Sequence, residues 1–478
     1  MAGVTTFLPL ILSLLFLLLN VGNGVHCFEE KKVFNLKKFQ WRGPSNVPSC
    51  QPQKSRKENG ATILEMKHWD YCSAGLAKDL EQKLQKRLVA DDSRVRSLQS
   101  QIRRAAFIRT EGLSAAQLPL TSGIKLQTLN YIVTVELGSK NMTVIVDTGS
   151  DLTWIQCDPC KSCYSQQDPI FKPAISPSYR SVLCNTSTCQ SLKLATGNSG
   201  VCGFDQMTCN YVVSYGDGSY TRGELGRERL DLGGVVVEDF VFGCGRNNKG
   251  LFGGASGLMG LGRTELSLVS QTRSKFGGVF SYCLPSTEGD VSGSLTLGGD
   301  SSVYKNSTPI SYTKMIPNPQ FSNFYFLNLT GISIGGVALE ASGFARAGML
   351  IDSGTVITRL VPSVYKAVRT EFLKQFSGFP SAPGFSILNT CFNLSGFGEV
   401  NIPTMKMHFE GDVQVNVDVS GMFYFAKLDA SQVCLAVASL TYEDEIGIIG
   451  NYQQKNLRVV YDNEQTRLGF AEEICSFT

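Results

Sequence analysis

The chain has 478 residues, 48 of them glycine, and a formal net charge of +3 that is unevenly divided. Residues 28–118 hold 18 Lys and Arg against 10 Asp and Glu, a net of +8, whereas residues 119–478 hold 26 against 31, a net of −5. Only His408 of the three histidines lies in the second part, so it is the one candidate there to partner a Ser or Cys nucleophile, and no His-Glu-x-x-His helix exists for a zinc protease.

Residues 2–28 carry no charged side chain, and residues 7–19 are almost wholly apolar, short of the about twenty residues a membrane span needs. With Gly22 and Gly24 following, residues 1–24 read as a secretory signal peptide, a hydrophobic anchor being the competing reading. In the basic segment, residues 25–118, Leu76, Leu80, Leu84 and Leu88 recur at helical spacing and predict a helix over 76–102. A solvated basic arm is the plainer reading of that segment. Asn130-Tyr131-Ile132-Val133-Thr134-Val135-Glu136-Leu137-Gly138 then reads as a strand, with a turn at residues 139–141.

The next strand, Val144-Ile145-Val146, ends abruptly in Asp147-Thr148-Gly149-Ser150-Asp151. The phrase returns as Met349-Leu350-Ile351-Asp352-Ser353-Gly354-Thr355, with the two acids 205 residues apart. A single Asp-Thr-Gly marks an ordinary turn after a buried strand. Two copies, each closing an apolar strand and separated by about one lobe's length, point to a carboxylate pair. Two such groups held about 3 Å apart share one proton, so one can activate a water while the other donates to the attacked carbonyl. Gly149 and Gly354 would allow close approach and torsions other residues resist, and Thr148, Ser150, Ser353 and Thr355 would supply donors that hold the carboxylates. Asp151 adds a third carboxylate beside the pair.

Twelve cysteines lie in the body, the first three as Cys157-x2-Cys160-x2-Cys163. In a cytosolic protein that spacing would suggest metal or redox chemistry; behind a signal peptide an even count reads as a disulfide framework. Cys50 and Cys72 could pair, leaving Cys27 over. Tyr215-Gly216-Asp217-Gly218 follows a strand and is a hairpin-turn signal. A break near residues 304–313 divides the body, and residues 362–376 form the clearest body helix, with Val364, Val368, Phe372 and Phe376 on one face. Asn141, Asn185, Asn306, Asn328 and Asn393 head N-x-S/T sequons. His408, in a strand-like run, reads as structural. The C-terminus shows neither an apolar tail for a lipid anchor nor a retention signal. Short, glycine-punctuated strands dominate, so the class is all-β.

The paired acid loops resemble pepsin-type aspartic proteases, more narrowly their nepenthesin-like plant branch. So do Trp154, Tyr215 with its Gly-Asp-Gly turn, and the strands Gly257-Leu258-Met259-Gly260 and Gly447-Ile448-Ile449-Gly450. The likeness spans roughly residues 128–472. It implies a bilobal all-β fold with a cleft between an N-terminal lobe, residues 119–304, and a C-terminal lobe, residues 305–478. Asp147 and Asp352 would be the catalytic dyad; Tyr215, Gly216 and Asp217 would belong to a mobile flap, with Trp154 packed behind the tyrosine. The implied disulfides are Cys157–Cys160, Cys163–Cys244, Cys184–Cys209, Cys189–Cys202, Cys283–Cys475 and Cys391–Cys434.

The expected function is a secreted aspartic endopeptidase, without cofactor or metal and monomeric, acting on peptides or proteins at acidic pH. Its basic segment would inhibit the cleft as a prosegment until removed, and its destination would be the apoplast or the vacuole. Two alternatives remain from relatives of this kind: a catalytically silent pepsin-fold binding or inhibitor protein, and a plastid-nucleoid DNA-binding protein. Retention of both acids and the flap tyrosine argues against the first, and the apolar leader against the second.

Overall fold

The computed structural model describes residues 30–36, 53–68, 80–108, 131–215, 218–250, 252–286, 292–304, 307–318, 322–344 and 348–477. The leader, Cys27, Cys50, Cys72, the start of the body near residue 118, Gly216, Asp217 and Asn306 lie outside these residues.

Valine, isoleucine and threonine favour pleated, half-buried backbone, and the body is built from strands accordingly. Tyr131–Leu137 and Lys140–Asp147 form a hairpin in register Leu137↔Lys140. Its two turn residues, Gly138 and Ser139, have φ of 54° and 63°, as a tight hairpin turn requires. The turn therefore precedes the expected position, and Asn141 is already paired with Glu136. On its other side Lys140–Asp147 runs parallel to Gly257–Gly260, Gly260 lying opposite Asp147. The second lobe repeats this: Met349–Ile351 runs parallel to Gly447–Ile449, with Ile351 opposite Ile449. Each acid thus leaves the buried end of a strand that has a parallel neighbour beside it.

A seven-stranded antiparallel sheet ties the lobes together. Its order is Ser55–Glu58, Ala61–His68, Gly293–Leu297, Val279–Cys283, Leu457–Asp462, Arg467–Glu472 and Ser311–Ile316. Ala61 to Met66 are buried, so this strand of the basic segment is part of the core, whereas Lys31, Lys32 and Val33 are exposed. Lys31–Asn35 adds an edge strand to Glu399–Pro403.

Helices are few. Pro362–Gln375 starts with proline in its first turn and buries Val364, Val368 and Phe372, the last against Phe392 and Phe423, as its apolar spacing predicts. Leu80–Ile108 runs six residues beyond the predicted end at 102, since no glycine or proline interrupts it. Its buried stripe, Leu84, Leu88, Asp91, Val95, Leu98 and Ile102, alternates intervals of four and three.

The disulfide framework holds at Cys283–Cys475 and Cys391–Cys434, and the other four implied pairings are corrected. Cys157 pairs with Cys244 because Trp154–Gln156 runs parallel beside Gly243–Gly245, and the Cys157 N–H donates to the Gly245 carbonyl at 2.9 Å. That leaves Cys160 and Cys163, with Cα atoms 6.0 Å apart, to close on each other. Neither Cys157–Cys160 nor Cys163–Cys244 forms. The short helix Ser187–Gln190, capped by Thr186, turns Cys189 inward to buried Cys209. Cys184 meets exposed Cys202 with Cα atoms 5.1 Å apart, so Cys184–Cys209 and Cys189–Cys202 do not form either. Of the sequons, Asn141 and Asn185 are exposed, whereas Asn328 and Asn393 are half-buried.

Candidate active site

The two acid loops meet across the lobes as a near-symmetric pair. The Thr148 N–H donates to Ser353 Oγ at 3.1 Å, and the Ser353 N–H donates to Thr148 Oγ1 at 2.9 Å. Each carboxylate then receives two local donors. Asp147 accepts from the Gly149 N–H at 3.1 Å and the Ser150 hydroxyl at 2.6 Å. Asp352 accepts from the Gly354 N–H at 2.9 Å and the Thr355 hydroxyl at 2.6 Å. The four hydroxyls therefore divide their work: Ser150 and Thr355 hold the carboxylates, while Thr148 and Ser353 brace the loops against each other. Both acids are completely buried.

The two glycines are explained by space alone. Neither takes a left-handed torsion, so the expectation of unusual backbone angles fails. A Cβ on Gly149 would stand 2.7 Å from Asp352 Oδ1, and one on Gly354 would collide with Asp147 Oδ1. Each loop passes so close to the opposite acid that only glycine fits.

Between the carboxylates lies a cation that sequence reading did not single out. Arg94, from the Leu80–Ile108 helix, donates from Nη2 to Asp147 Oδ1 at 2.8 Å and to Asp352 Oδ2 at 3.0 Å, with Nε 3.1 Å from the same oxygen. Burial raises the Asp352 pKa, and the Asp147 charge adds to that, while Arg94 pulls the other way. Arg94 is held firmly charged by the two carboxylates despite its own burial. The helix is anchored on either side of this bridge. Asp91, fully buried, accepts from the Val356 N–H, the Ile357 N–H and the Arg359 guanidinium. Gln99 makes paired hydrogen bonds with the backbone of Ile446, and Arg103 pairs with Glu445 at 3.0 Å. One of 18 basic residues in its segment, Arg94 carries no local mark in the sequence.

Tyr215 receives a hydrogen bond from Trp154 Nε1 at 2.7 Å, which joins the two aromatic residues as expected. Burial raises the Tyr215 pKa, so its hydroxyl keeps its proton for donation. Asp151 turns away from the dyad: it accepts from the Thr264 N–H at 2.8 Å and is completely buried, which pushes its pKa up to about 7. His408 bonds Ser333 at 2.7 Å, far from these loops in role. All three cysteines of the Cys157-x2-Cys160-x2-Cys163 run are in disulfides, which leaves none of them as a metal ligand.

Comparison with known proteins adds relatives. Residues 131–299 match the family described as xylanase inhibitor N-terminal, and residues 324–472 the family described as xylanase inhibitor C-terminal. The chain is 43% identical to an aspartyl protease family protein of Arabidopsis thaliana over 393 residues, 81% of either chain. It is 35% identical to aspartic proteinase nepenthesin-1 of Nepenthes gracilis over 358 residues, 72% of this chain and 78% of that one. Among solved structures it resembles basic 7S globulin from soybean, with a TM-score of 0.58 and 21% identity over 73% of this chain and 95% of that one, a likeness of fold alone.

Proposed function

The chain belongs to the pepsin-like aspartic protease family, in its plant, nepenthesin-like branch, and from that premise we propose that Asp147 and Asp352 are its catalytic dyad, kept silent by Arg94 until the basic segment is removed. The observation that carries this reading is the single guanidinium bridging both acids, on loops braced to each other. A substrate carbonyl and its attacking water need the space that Arg94 fills, so the unprocessed chain is inactive.

Once Arg94 leaves, its pull on Asp352 is gone and the two acids share one proton, as in aspartic proteases generally. On this reading Asp352 holds that proton and donates to the scissile carbonyl oxygen. Asp147, ionised, takes a proton from the water that attacks the carbonyl carbon. As the tetrahedral intermediate collapses, Asp147 passes the water's proton to the leaving amine and Asp352 takes its proton back from the hydroxyl that becomes the new carboxyl group. Raising the pH strips the shared proton, so activity favours acid. Tyr215, oriented by Trp154, closes over the bound peptide with the flap.

On the same reading, residues 1–24 are a signal peptide, residues 25–118 a prosegment, and the sequons carry glycans on a monomer bound for the apoplast or vacuole. The test is peptide cleavage by processed protein between about pH 3 and pH 7, with and without pepstatin, alongside Asp352→Asn. Acid-dependent, pepstatin-sensitive cleavage that vanishes in the variant is the expected result. A folded, segment-free protein that cleaves nothing would instead make this a binding protein on a protease scaffold.

A further inference from the structure

Asp91 occupies a site that belongs to the body and not to the helix. Its Oδ1 accepts from the Val356 N–H at 2.5 Å, and its Oδ2 from the Ile357 N–H at 3.2 Å and Arg359 Nη2 at 2.9 Å. Arg359 is also tied back, donating from Nη1 to the Ile357 carbonyl at 3.0 Å. One guanidinium nitrogen and two amides thus converge on one carboxylate, at a position where both partners are buried. Among the described residues, the acids that reach Arg359 are Asp91 and, at 3.9 Å, Asp92, and both sit on the Leu80–Ile108 helix.

Removal of the helix therefore leaves the guanidinium and the two N–H groups facing the emptied cleft. Buried donors without an acceptor are unfavourable, and a buried charge without its partner more so, so the freed site favours a new anion. Val356 and Ile357 follow directly on the Asp352 loop. Asp91 also precedes Arg94 by three residues, about 4.5 Å along a helix axis. A peptide whose scissile bond lies at the dyad thus passes the site within a few residues.

We propose that Val356, Ile357 and Arg359 form a specificity subsite for a short acidic side chain, so that the processed enzyme prefers peptides carrying aspartate at one fixed distance from the cleaved bond. Asp91 is the built-in mimic of that side chain. The proposal rests on the reading of the chain as a protease whose cleft the helix occupies. Arg359 acts on selectivity and touches no reacting atom.

The test uses processed protein and a set of peptides in which one Asp is walked along either side of the cleaved bond, each compared with its Asn twin. Measurements at about pH 5 and again at about pH 6 keep the Asp of the free peptide ionised, its ordinary pKa being about 3.9, and allow for the upward shift that burial gives a carboxyl in this site, as it does Asp91. Expected is one register at which Asp raises kcat/KM on the order of tenfold over Asn, with the ratio falling toward one in Arg359→Gln. No preferred register in the wild type, or a preference unchanged in Arg359→Gln, overturns the subsite while leaving the protease reading intact. Cleavage of neither twin overturns both. A second measurement needs no variant of the enzyme: a synthetic peptide of residues 80–108 should inhibit the processed protein roughly tenfold better than its Asp91→Asn version, and equal inhibition overturns the proposal.

Discussion

Replacing Arg94 with glutamine in the unprocessed chain should unlatch the cleft. The guanidinium side chain is 17% exposed and the two carboxylates it bridges are 1% and 0% exposed, so all three charges are largely withdrawn from water. Removing one partner of a buried ion pair costs about 3–5 kcal/mol, because the remaining charge stays desolvated. At about 1.4 kcal/mol per decade, that shifts the seated-to-released ratio of the helix by roughly two to three and a half orders of magnitude. Asp91, Gln99 and Arg103 still anchor the helix, so the variant is not freely open. It should nevertheless bind pepstatin and convert to the processed form roughly a hundredfold faster than wild type near neutral pH.

The sign with pH follows from Asp352. Its pKa is already raised by burial, and loss of Arg94 removes the principal opposing influence. A carboxyl raised in the seated state is penalised above its pKa and relieved below it, so the effect of the substitution should shrink on acidification. The control is Arg96→Gln, whose side chain is 78% exposed and, among the described residues, pairs with Asp92 on the helix surface. Such a pair contributes at most about 1 kcal/mol. Conversion of Arg94→Gln no faster than Arg96→Gln at neutral pH would refute the latch.

Three further outcomes are expected. Asp151, at a folded pKa of about 7 against an ordinary 3.8, contributes stability that is full below about pH 4 and lost as the pH rises through 7. Asp151→Asn should therefore flatten the Tm–pH profile of the unprocessed chain between those limits, and an unchanged slope would show that Asp151 is ionised there. Thr148→Val leaves the buried Ser353 N–H without its acceptor; it should destabilise the fold by about 1–3 kcal/mol in denaturant titration. Reduction-free peptide mapping should find Cys157 joined to Cys244 and Cys160 to Cys163. Serine pairs at the first bridge, which closes 87 residues, should lower stability by roughly 3 kcal/mol more than at the second, which closes 3.

Much of the site was readable because its chemistry is local. Asp147 and Asp352 each follow an apolar strand, their hydroxyl donors stand three residues on, and the duplication itself announces a pair. Trp154 and Tyr215 were found through their spacing from Asp147 in a family pattern. The helix over 362–376 was legible because a four-residue apolar interval with proline at its start has few other outcomes. Misreadings came where partners are remote. The disulfides near Cys157 depend on which strand lies parallel to Trp154–Gln156, and spacing along the chain carries no information about that. The role of Gly149 and Gly354 is a collision with the opposite acid, 203 and 207 residues away in the chain, not a torsion of their own.

By itself, then, the sequence determined that two carboxylates would stand on matched strand ends in an all-β protein rich in disulfides, since hydrophobic alternation and turn chemistry act within a few residues. Only the tertiary structure decided that Arg94 bridges the acids, that Asp91 borrows a body-built anion site, and that Ala61–His68 is a core strand of the sheet joining both lobes. Those contacts span from 53 to 268 residues. A charge on a helix acquires meaning only when the opposite charge is folded, and desolvated, against it.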